Sequence, residues 1–228
     1  MFNDAKIVLV LSAHADDEVL GMGGTLFRLR EVGCRVIWLI MSRVWSPRWS
    51  EEKKSIRERD IDRVAGCVGF DEVIRWDFPD NRMDEFPRDE YQSRLIQELN
   101  RIRPDTIFSP GPWDWNWEHR IAFETVEVSI KPAYSPFVRQ VYAYEIPSST
   151  DWTYKSVRQF PSSTYVDIED VLEKKIAAAT LFSTEIADFP HPRSPDGIRH
   201  YAAVRGMEVG IRAAESFALM RKIERHDR

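Results

Sequence analysis

Cysteine is scarce in this sequence, in which Cys34 and Cys67 are the only two among 228 residues. Two cysteines cannot build a disulfide framework, and each lies in an apolar periodic segment where a buried free thiol is the ordinary outcome. A long apolar run is also missing: the early stretch 7–13 is too short to span a membrane, and it lacks the cationic start of a secretory signal. We therefore expect a cytoplasmic protein without stable membrane insertion.

A block of basic residues is absent as well. The formal net charge is -5, and acidic and basic residues are interspersed along the whole chain, so no stretch is suited to follow a phosphate backbone. Nucleic acid is therefore not an expected partner. Hydrophobic residues, in contrast, make up 43% of the chain, which is enough for a sizeable core. We predict a single domain over residues 1–228.

Short apolar runs alternate with stretches of helical periodicity along the chain. Strands are predicted at 6–12, 35–41, 72–76, 106–109, 140–145 and 165–168, and helices at 17–32, 51–68, 89–103, 118–130, 169–182 and 197–221. This alternation predicts an α/β fold with a Rossmann-like, mostly parallel sheet and helices on both faces. Reactive groups in such sheets gather at the carboxyl ends of the strands. The loops after Ser12, Trp76 and Ser109 are therefore the candidate site.

The first of these loops reads Ala13-His-Ala-Asp-Asp-Glu18. His14 can offer an imidazole nitrogen and Asp17 a carboxylate oxygen to one divalent cation, while Asp16 stays free as a base. The acids could instead cap the following helix and favour its positive end. That alternative leaves His14 unexplained.

The segment Trp113-Asp-Trp-Asn-Trp-Glu-His-Arg120 follows the strand 106–109 and carries a second histidine, His119, at the start of a helix. Two histidines, one carboxylate and an open position for water are the composition of a catalytic zinc site. The same ligand set also suits non-haem iron, and the residues alone leave both metals open. The tryptophans could stack on a sugar ring or simply pack the rim.

Together the two loops resemble the PIG-L/LmbE family of zinc-dependent N-acetylglucosamine deacetylases. The family's AHPDDE motif reads AHADDE at 13–18, and its HxDH motif aligns with Asn116-Trp-Glu-His119. Similar matches at Arg57-x-x-Asp60, at Phe78-Pro-Asp80 and in the C-terminal region extend the likeness over nearly the whole chain. The resemblance implies the same fold and a zinc-dependent removal of an N-acyl group, acetyl in the first instance, from an amino-sugar conjugate.

Carried over to this chain, the resemblance implies a role for each matching residue. Zinc would be held by His14, Asp17 and His119, and Asp16 would be the general base for attack by a zinc-bound water. Asn116 replaces a histidine expected to polarise the carbonyl or assist the leaving amine; an asparagine can donate a hydrogen bond but cannot carry a proton. The expected substrate-binding residues are Arg57, Asp80, Trp115, His191 and Arg193.

Two alternatives to a zinc deacetylase stay open at this point. Asn116 also fits a catalytically impaired family member that binds a sugar or a partner protein, and the two-histidine, one-carboxylate set also fits a non-haem iron enzyme. A loop over 43–50, which contains Trp45 and Trp49, indicates either a lid or a subunit contact and so leaves a homo-oligomer open.

Overall fold

The computed structural model describes residues 5–224, and within this range seven strands form one sheet in the order β3-β2-β1-β4-β5-β7-β6. The strands are β1 Ile7–Ser12, β2 Arg35–Arg43, β3 Glu72–Pro79, β4 Thr106–Pro110, β5 Gln140–Tyr144, β6 Thr164–Asp167 and β7 Ala214–Lys222. The helices are α1 Asp17–Glu31, α2 Glu51–Val68, α3 Arg88–Ile102, α4 Trp117–Ser129, α5 Leu172–Thr180 and α6 Pro195–Met207.

The strands β1 to β5 pair in parallel, and β7 runs antiparallel to both β5 and β6. The predicted Rossmann-like, mostly parallel α/β sheet is thus confirmed. One apolar layer lies between the sheet and α1, α2, α5 and α6, and a second lies between the other face and α3 and α4. The central strand β1 reads Ile-Val-Leu-Val-Leu-Ser because both of its faces are covered by helices.

The predicted helix over 197–221 is wrong in its second half, where the chain turns and forms strand β7. Gly210 has a φ of +77°, a conformation that glycine adopts without strain, and the carbonyl of Gly206 accepts the N–H of Ile211 at 3.0 Å to close the turn. The alanine-rich segment 213–218 has good helix-forming residues. Pairing with strands on both sides outweighs that local propensity.

Strand β7 also fastens helix α1 to the sheet. The helix is broken at Met22, where φ is -141°, and Glu215 of β7 accepts the N–H groups of Gly24 at 2.8 Å and Thr25 at 2.6 Å. The ammonium of Lys175 lies 2.7 Å from the same carboxylate, and both side chains are buried. This buried ion pair is therefore the link between α1, α5 and β7.

The carboxyl ends of β3, β2, β1 and β4 lie side by side, so their loops share one edge of the sheet. Strand β3 continues to Pro79, beyond its predicted end at Trp76, and the N–H of Asp80 donates to the carbonyl of Arg43 at 3.0 Å. This longer strand brings Asp80 to the edge where the β1 and β4 loops meet. Among residues 5–224, no helix combines the length and the apolar character needed to cross a membrane.

Candidate metal and active site

Three side chains from two neighbouring loops meet at the carboxyl edge of the sheet. His14 and Asp17 follow β1, and His119 lies in the first turn of α4, after the adjacent strand β4. His119 Nε2 lies 3.2 Å from His14 Nδ1 and 3.2 Å from Asp17 Oδ1, and one possible ligand atom of each residue lies within 4.8 Å of the other two. The sequence predicted this convergence; the role of the three residues as zinc ligands stays a prediction.

The outer nitrogen of each imidazole lies against a buried carboxylate. His14 Nε2 is 2.6 Å from Glu118 Oε2, and His119 Nδ1 is 3.1 Å from Asp114 Oδ1. Protons on these outer nitrogens leave the lone pairs of both inner nitrogens facing Asp17. Two lone pairs and a carboxylate oxygen so close together repel one another unless a cation lies between them. The donor set therefore fits a divalent metal ion, and backing carboxylates are the usual support of such histidines.

Sequence reasoning missed these roles of Glu118 and Asp114. Glu118 also accepts two backbone N–H groups of the loop after β3, each at 3.0 Å, and Asp114 accepts the hydroxyls of Ser149 and Thr150. The available signal was the density of acids just before His119. Which nitrogen each acid meets depends on how the loops fold, and this is not visible in the spacing alone.

The charges in this cluster shift the pKa of each member. Burial by itself lowers the pKa of His119, but Asp17 and Asp114 outweigh it and raise the pKa to about 10. Burial acts in the same way on His14, yet the hydrogen bond to Glu118 and the charge of Asp17 raise its pKa. Burial raises the pKa of Asp17, and the two histidines overcome this and lower it to about 2. In the metal-free protein a proton therefore takes the place that a metal ion would occupy.

Asp16 binds a different partner from the three clustered residues. Arg193 Nη1 donates to Asp16 Oδ2 at 3.0 Å, and the N–H of Asp16 donates to Glu18 Oε2 at 3.2 Å. Its φ of +141° is a strained value for a residue with a Cβ, and such strain is often found at functional sites. Burial raises the pKa of Asp16 to about 6, although Arg193 opposes the shift. A carboxylate with this pKa suits a general base.

Asn116 is the N-cap of helix α4. Its Oδ1 accepts the N–H of Glu118 at 2.9 Å, and its own N–H donates to Asp114 Oδ1 at 2.8 Å. The side chain also lines the pocket together with His119. Because the cap uses the amide oxygen, the amide nitrogen is the atom left to donate a hydrogen bond, and its role in carbonyl polarisation stays a prediction.

A pocket of about 210 Å³ surrounds the cluster. Three of the predicted substrate contacts, Arg57, Asp80 and Arg193, line it, and Arg57 also bonds to the carbonyl of Ala15 and to Glu185. The other two predicted contacts, Trp115 and His191, do not line the pocket. Trp115 is 59% exposed, and His191 Nδ1 accepts the N–H of Arg193 at 3.1 Å.

The loop over 44–50 folds onto Asp80. The indole N–H of Trp45 donates to the backbone carbonyl of Asp80 at 2.9 Å, and the indole N–H of Trp49 donates to its carboxylate at 3.1 Å. Lys53 Nζ lies 3.6 Å from the centre of the Trp49 ring, which lines the pocket. This loop thus forms a wall of the pocket, and a role as a lid or a subunit contact stays a prediction.

These features define a class: an α/β protein in which parallel strand ends hold a two-histidine, one-aspartate cluster beside a second buried aspartate. The chain matches the profile of the PIG-L family, described as GlcNAc-PI de-N-acetylase, over residues 9–129. This range covers more than half of the sequence and includes His14, Asp17 and His119. The chain belongs to the PIG-L family.

Several similar proteins align with nearly the whole length of this chain. Diacetylchitobiose deacetylase from Thermococcus kodakarensis is 24% identical over an alignment of 240 residues that covers 99% of this chain and 87% of that protein. The inhibitor-bound N,N′-diacetylchitobiose deacetylase from Pyrococcus horikoshii is 26% identical, with a TM-score of 0.75 over 96% of this chain and 85% of that one. GalB, the 4-carboxy-2-hydroxymuconate hydratase from Pseudomonas putida, is 20% identical, with a TM-score of 0.76 over 97% and 99%. At this identity the similarity to GalB concerns the fold alone. Because GalB is a hydratase, the shared fold does not by itself determine which reaction is catalysed.

Proposed function

We propose that this protein is a zinc-dependent N-deacetylase that acts on a small N-acetylated amino-sugar conjugate. The observation that carries the proposal is the convergence of His14 Nδ1, Asp17 Oδ1 and His119 Nε2 beside Asp16, a carboxylate that takes no part in this convergence. The PIG-L family match and the names of the two diacetylchitobiose deacetylases support the choice of acetyl group and amino sugar.

His14, Asp17 and His119 would hold the metal ion. When bound, zinc acidifies a water ligand to a pKa near about 7 and polarises a carbonyl oxygen. Asp16 takes the proton of the attacking water and then delivers it to the departing nitrogen, because its pKa of about 6 allows it to act in both directions near neutral pH. Arg193 fixes the orientation of the Asp16 carboxylate through the 3.0 Å bond.

Asn116 stabilises the developing oxyanion through its amide N–H groups and carries no proton. Asp16 therefore performs the acid step as well as the base step. Arg57 and Asp80 line the pocket from α2 and from the end of β3, and their charged groups bind the hydroxyls of the sugar. The wall formed by Trp49 holds the Asp80 carboxylate in place for this contact.

The test combines metal content with amine release. Purified protein is analysed for bound metal, stripped with a chelator, reloaded with zinc, and given a panel of N-acetylhexosamine conjugates while free amine and acetate are measured. We expect stoichiometric zinc and equal release of both products, lost on stripping and restored by zinc. Asp16→Asn should keep the metal and lose about 10²- to 10⁴-fold in turnover, whereas Glu124→Gln, on the exposed side of α4, should not.

Other outcomes would contradict the proposal in distinct ways. Sugar binding without amine release in the zinc-loaded protein would indicate the catalytically impaired alternative. Bound iron with oxygen consumption would indicate the non-haem iron enzyme. Turnover confined to the addition of water to an unsaturated acid would place the activity with the hydratase instead.

A further inference from the structure

Three residues with hydroxyl groups follow one another in the loop after β5: Ser148, Ser149 and Thr150, here called the hydroxyl turn. Because β5 lies parallel to β4, this loop begins at the same edge of the sheet as the metal cluster. Ser148 and Ser149 are buried, at 9% and 5% exposure. Buried hydroxyl groups need hydrogen-bond partners, and the partners found here indicate what the turn does.

Two of the three hydroxyls bind the carboxylate behind His119. Ser149 Oγ donates to Asp114 Oδ1, and Thr150 Oγ1 donates to Asp114 Oδ2 at 2.6 Å. With a hydroxyl on each oxygen, the plane of the carboxylate is fixed, and its Oδ1 lies 3.1 Å from His119 Nδ1. Since Ser149 gives its only proton to Asp114, its Oγ can only accept from His119 Nδ1, which is 3.4 Å away. Both contacts keep the proton of His119 on Nδ1 and leave the lone pair of Nε2 for a metal ion.

The first hydroxyl of the turn binds the cation beside Asp16. Arg193 Nε donates to Ser148 Oγ at 2.7 Å, and Arg193 Nη1 donates to Asp16 Oδ2 at 3.0 Å. The guanidinium is planar and its N–H groups form a rigid fork, so a bond at Nε fixes the direction in which Nη1 points. Ser148 therefore acts on the Asp16 carboxylate through Arg193.

The backbone of the hydroxyl turn is held in the shape that these contacts require. Ser148 has a φ of +66°, a left-handed conformation that is costly for a residue with a Cβ and is often found at functional sites. The N–H groups of Ser149 and Thr150 both donate to the carbonyl of Ile146, at 3.1 and 2.9 Å. Thr150 Oγ1 also accepts the N–H of Ile146 at 2.8 Å. These bonds close the turn on a fully buried residue.

We propose that the hydroxyl turn positions both halves of the active site. Its second and third hydroxyls orient the carboxylate that supports the metal ligand His119, and its first hydroxyl orients Arg193 on the general base Asp16. This inference rests on the proposed deacetylase function. Catalytic groups must be held within about 0.5 Å of the productive geometry by the residues around them. One short segment that is bonded to both halves sets the distance between the base and the metal ligands.

Zinc affinity tests the metal half of the inference. Competition with a chromophoric chelator gives the zinc Kd of the wild type, of Ser149→Ala and of Thr150→Val. Each change should weaken zinc binding about threefold to tenfold, less than the roughly 10- to 100-fold expected when the direct support of a ligand is removed. Thr150→Ser keeps the hydroxyl and should bind zinc as the wild type does. Ser156→Ala is the matched control, because Ser156 is exposed in the same loop and lies outside the hydroxyl turn.

Turnover and structure test the base half. Ser148→Ala and Ser148→Gly should each lower kcat on an N-acetylhexosamine conjugate about tenfold, the loss of a hydrogen bond to a charged group, while the zinc Kd stays that of the wild type. Glycine relieves the left-handed backbone, so full kcat in the glycine variant would show that the hydroxyl is not needed. Crystals of zinc-loaded Ser148→Ala should show Arg193 Nη1 more than about 3.5 Å from Asp16 Oδ2.

These measurements separate the inference from the proposed function. If no sugar is deacetylated, the proposed function fails, while zinc affinity and the position of Arg193 still decide the role of the hydroxyl turn. Unchanged zinc affinity in Ser149→Ala and Thr150→Val would overturn the inference, as would an unmoved Arg193 in Ser148→Ala. An equal loss of zinc affinity in all three variants would also overturn it, because the turn would then support the metal half alone. Circular dichroism verifies that each variant is folded.

Discussion

Replacing Glu118 with glutamine should weaken zinc binding about 10- to 100-fold, the range observed when the support of a metal-binding histidine is removed. Glu118 Oε2 accepts both His14 Nε2 at 2.6 Å and the N–H of Asn81 at 3.0 Å, while Oε1 accepts the N–H of Met83 at 3.0 Å. Glutamine has one oxygen to serve these three donors. The amide nitrogen of glutamine is itself a donor, and it would stand where a carboxylate oxygen now accepts at least one of these hydrogen bonds.

The tautomer of His14 decides the magnitude. To bond with the amide NH₂ of glutamine, His14 Nε2 must accept, so the neutral ring carries its proton on Nδ1. That atom faces His119 and Asp17 and is the one that must offer a lone pair to the metal. The expected loss corresponds to about 1.4 to 2.8 kcal/mol of binding free energy.

The assay is competition for zinc between the protein and a chromophoric chelator of known affinity, at one pH and ionic strength. Glu124→Gln on the same helix is the control, because the side chains of Glu124 and its partner Arg88 are 48% and 84% exposed and such a pair contributes little. Circular dichroism would verify that both variants are folded. A folded Glu118→Gln protein with a Kd within twofold of the wild type would refute the role assigned to Glu118.

Three further predictions follow from the described contacts. Zinc binding at pH 8 should release about one proton from His119, because its pKa of about 10 in the metal-free protein must fall when the ring binds metal; affinity should rise with pH, and calorimetry that is independent of buffer ionisation would contradict this. Burial raises the pKa of Glu18 well above its ordinary value and so favours the neutral acid, which glutamine resembles; Glu18→Gln should keep most of the turnover, whereas a loss as large as that of Glu18→Ala would show that its charge is needed. Glu215→Ala should cost about 3 to 5 kcal/mol in the free energy of unfolding by leaving Lys175 buried and unpaired; chemical denaturation showing less than 1 kcal/mol would disprove it, and the exposed Glu173→Ala is the control.

Much of the site was predictable from sequence because it is built at adjacent strand ends. The loops after β1 and β4 had to meet once the sheet was parallel, since these strands are neighbours, and the convergence of His14, Asp17 and His119 follows from that. Asp80 was reached through family resemblance and lines the pocket, while its role in binding a sugar stays a prediction. Its exact place depends on the extension of β3 to Pro79, which the apolar pattern did not reveal.

The missed contacts join parts of the chain that no local pattern connects. Arg193 reaches Asp16 across 177 residues, and Ser149 reaches Asp114 across 35. Such pairs depend on how the C-terminal loops fold back over the sheet. The error at 197–221 has the same origin, because that segment has helical composition and becomes a strand only when β5 and β6 are present to pair with it.

The position of β7 at the end of the chain also affects folding during synthesis. Synthesis runs from the amino end, so the loops at 13–18 and 113–119 emerge from the ribosome before residues 214–222 do. Until then β5 has one side without hydrogen-bond partners, and an open strand of this kind recruits strands from other molecules. A nascent chain stalled ahead of β7 therefore carries both of these loops on an incomplete sheet that is prone to aggregate.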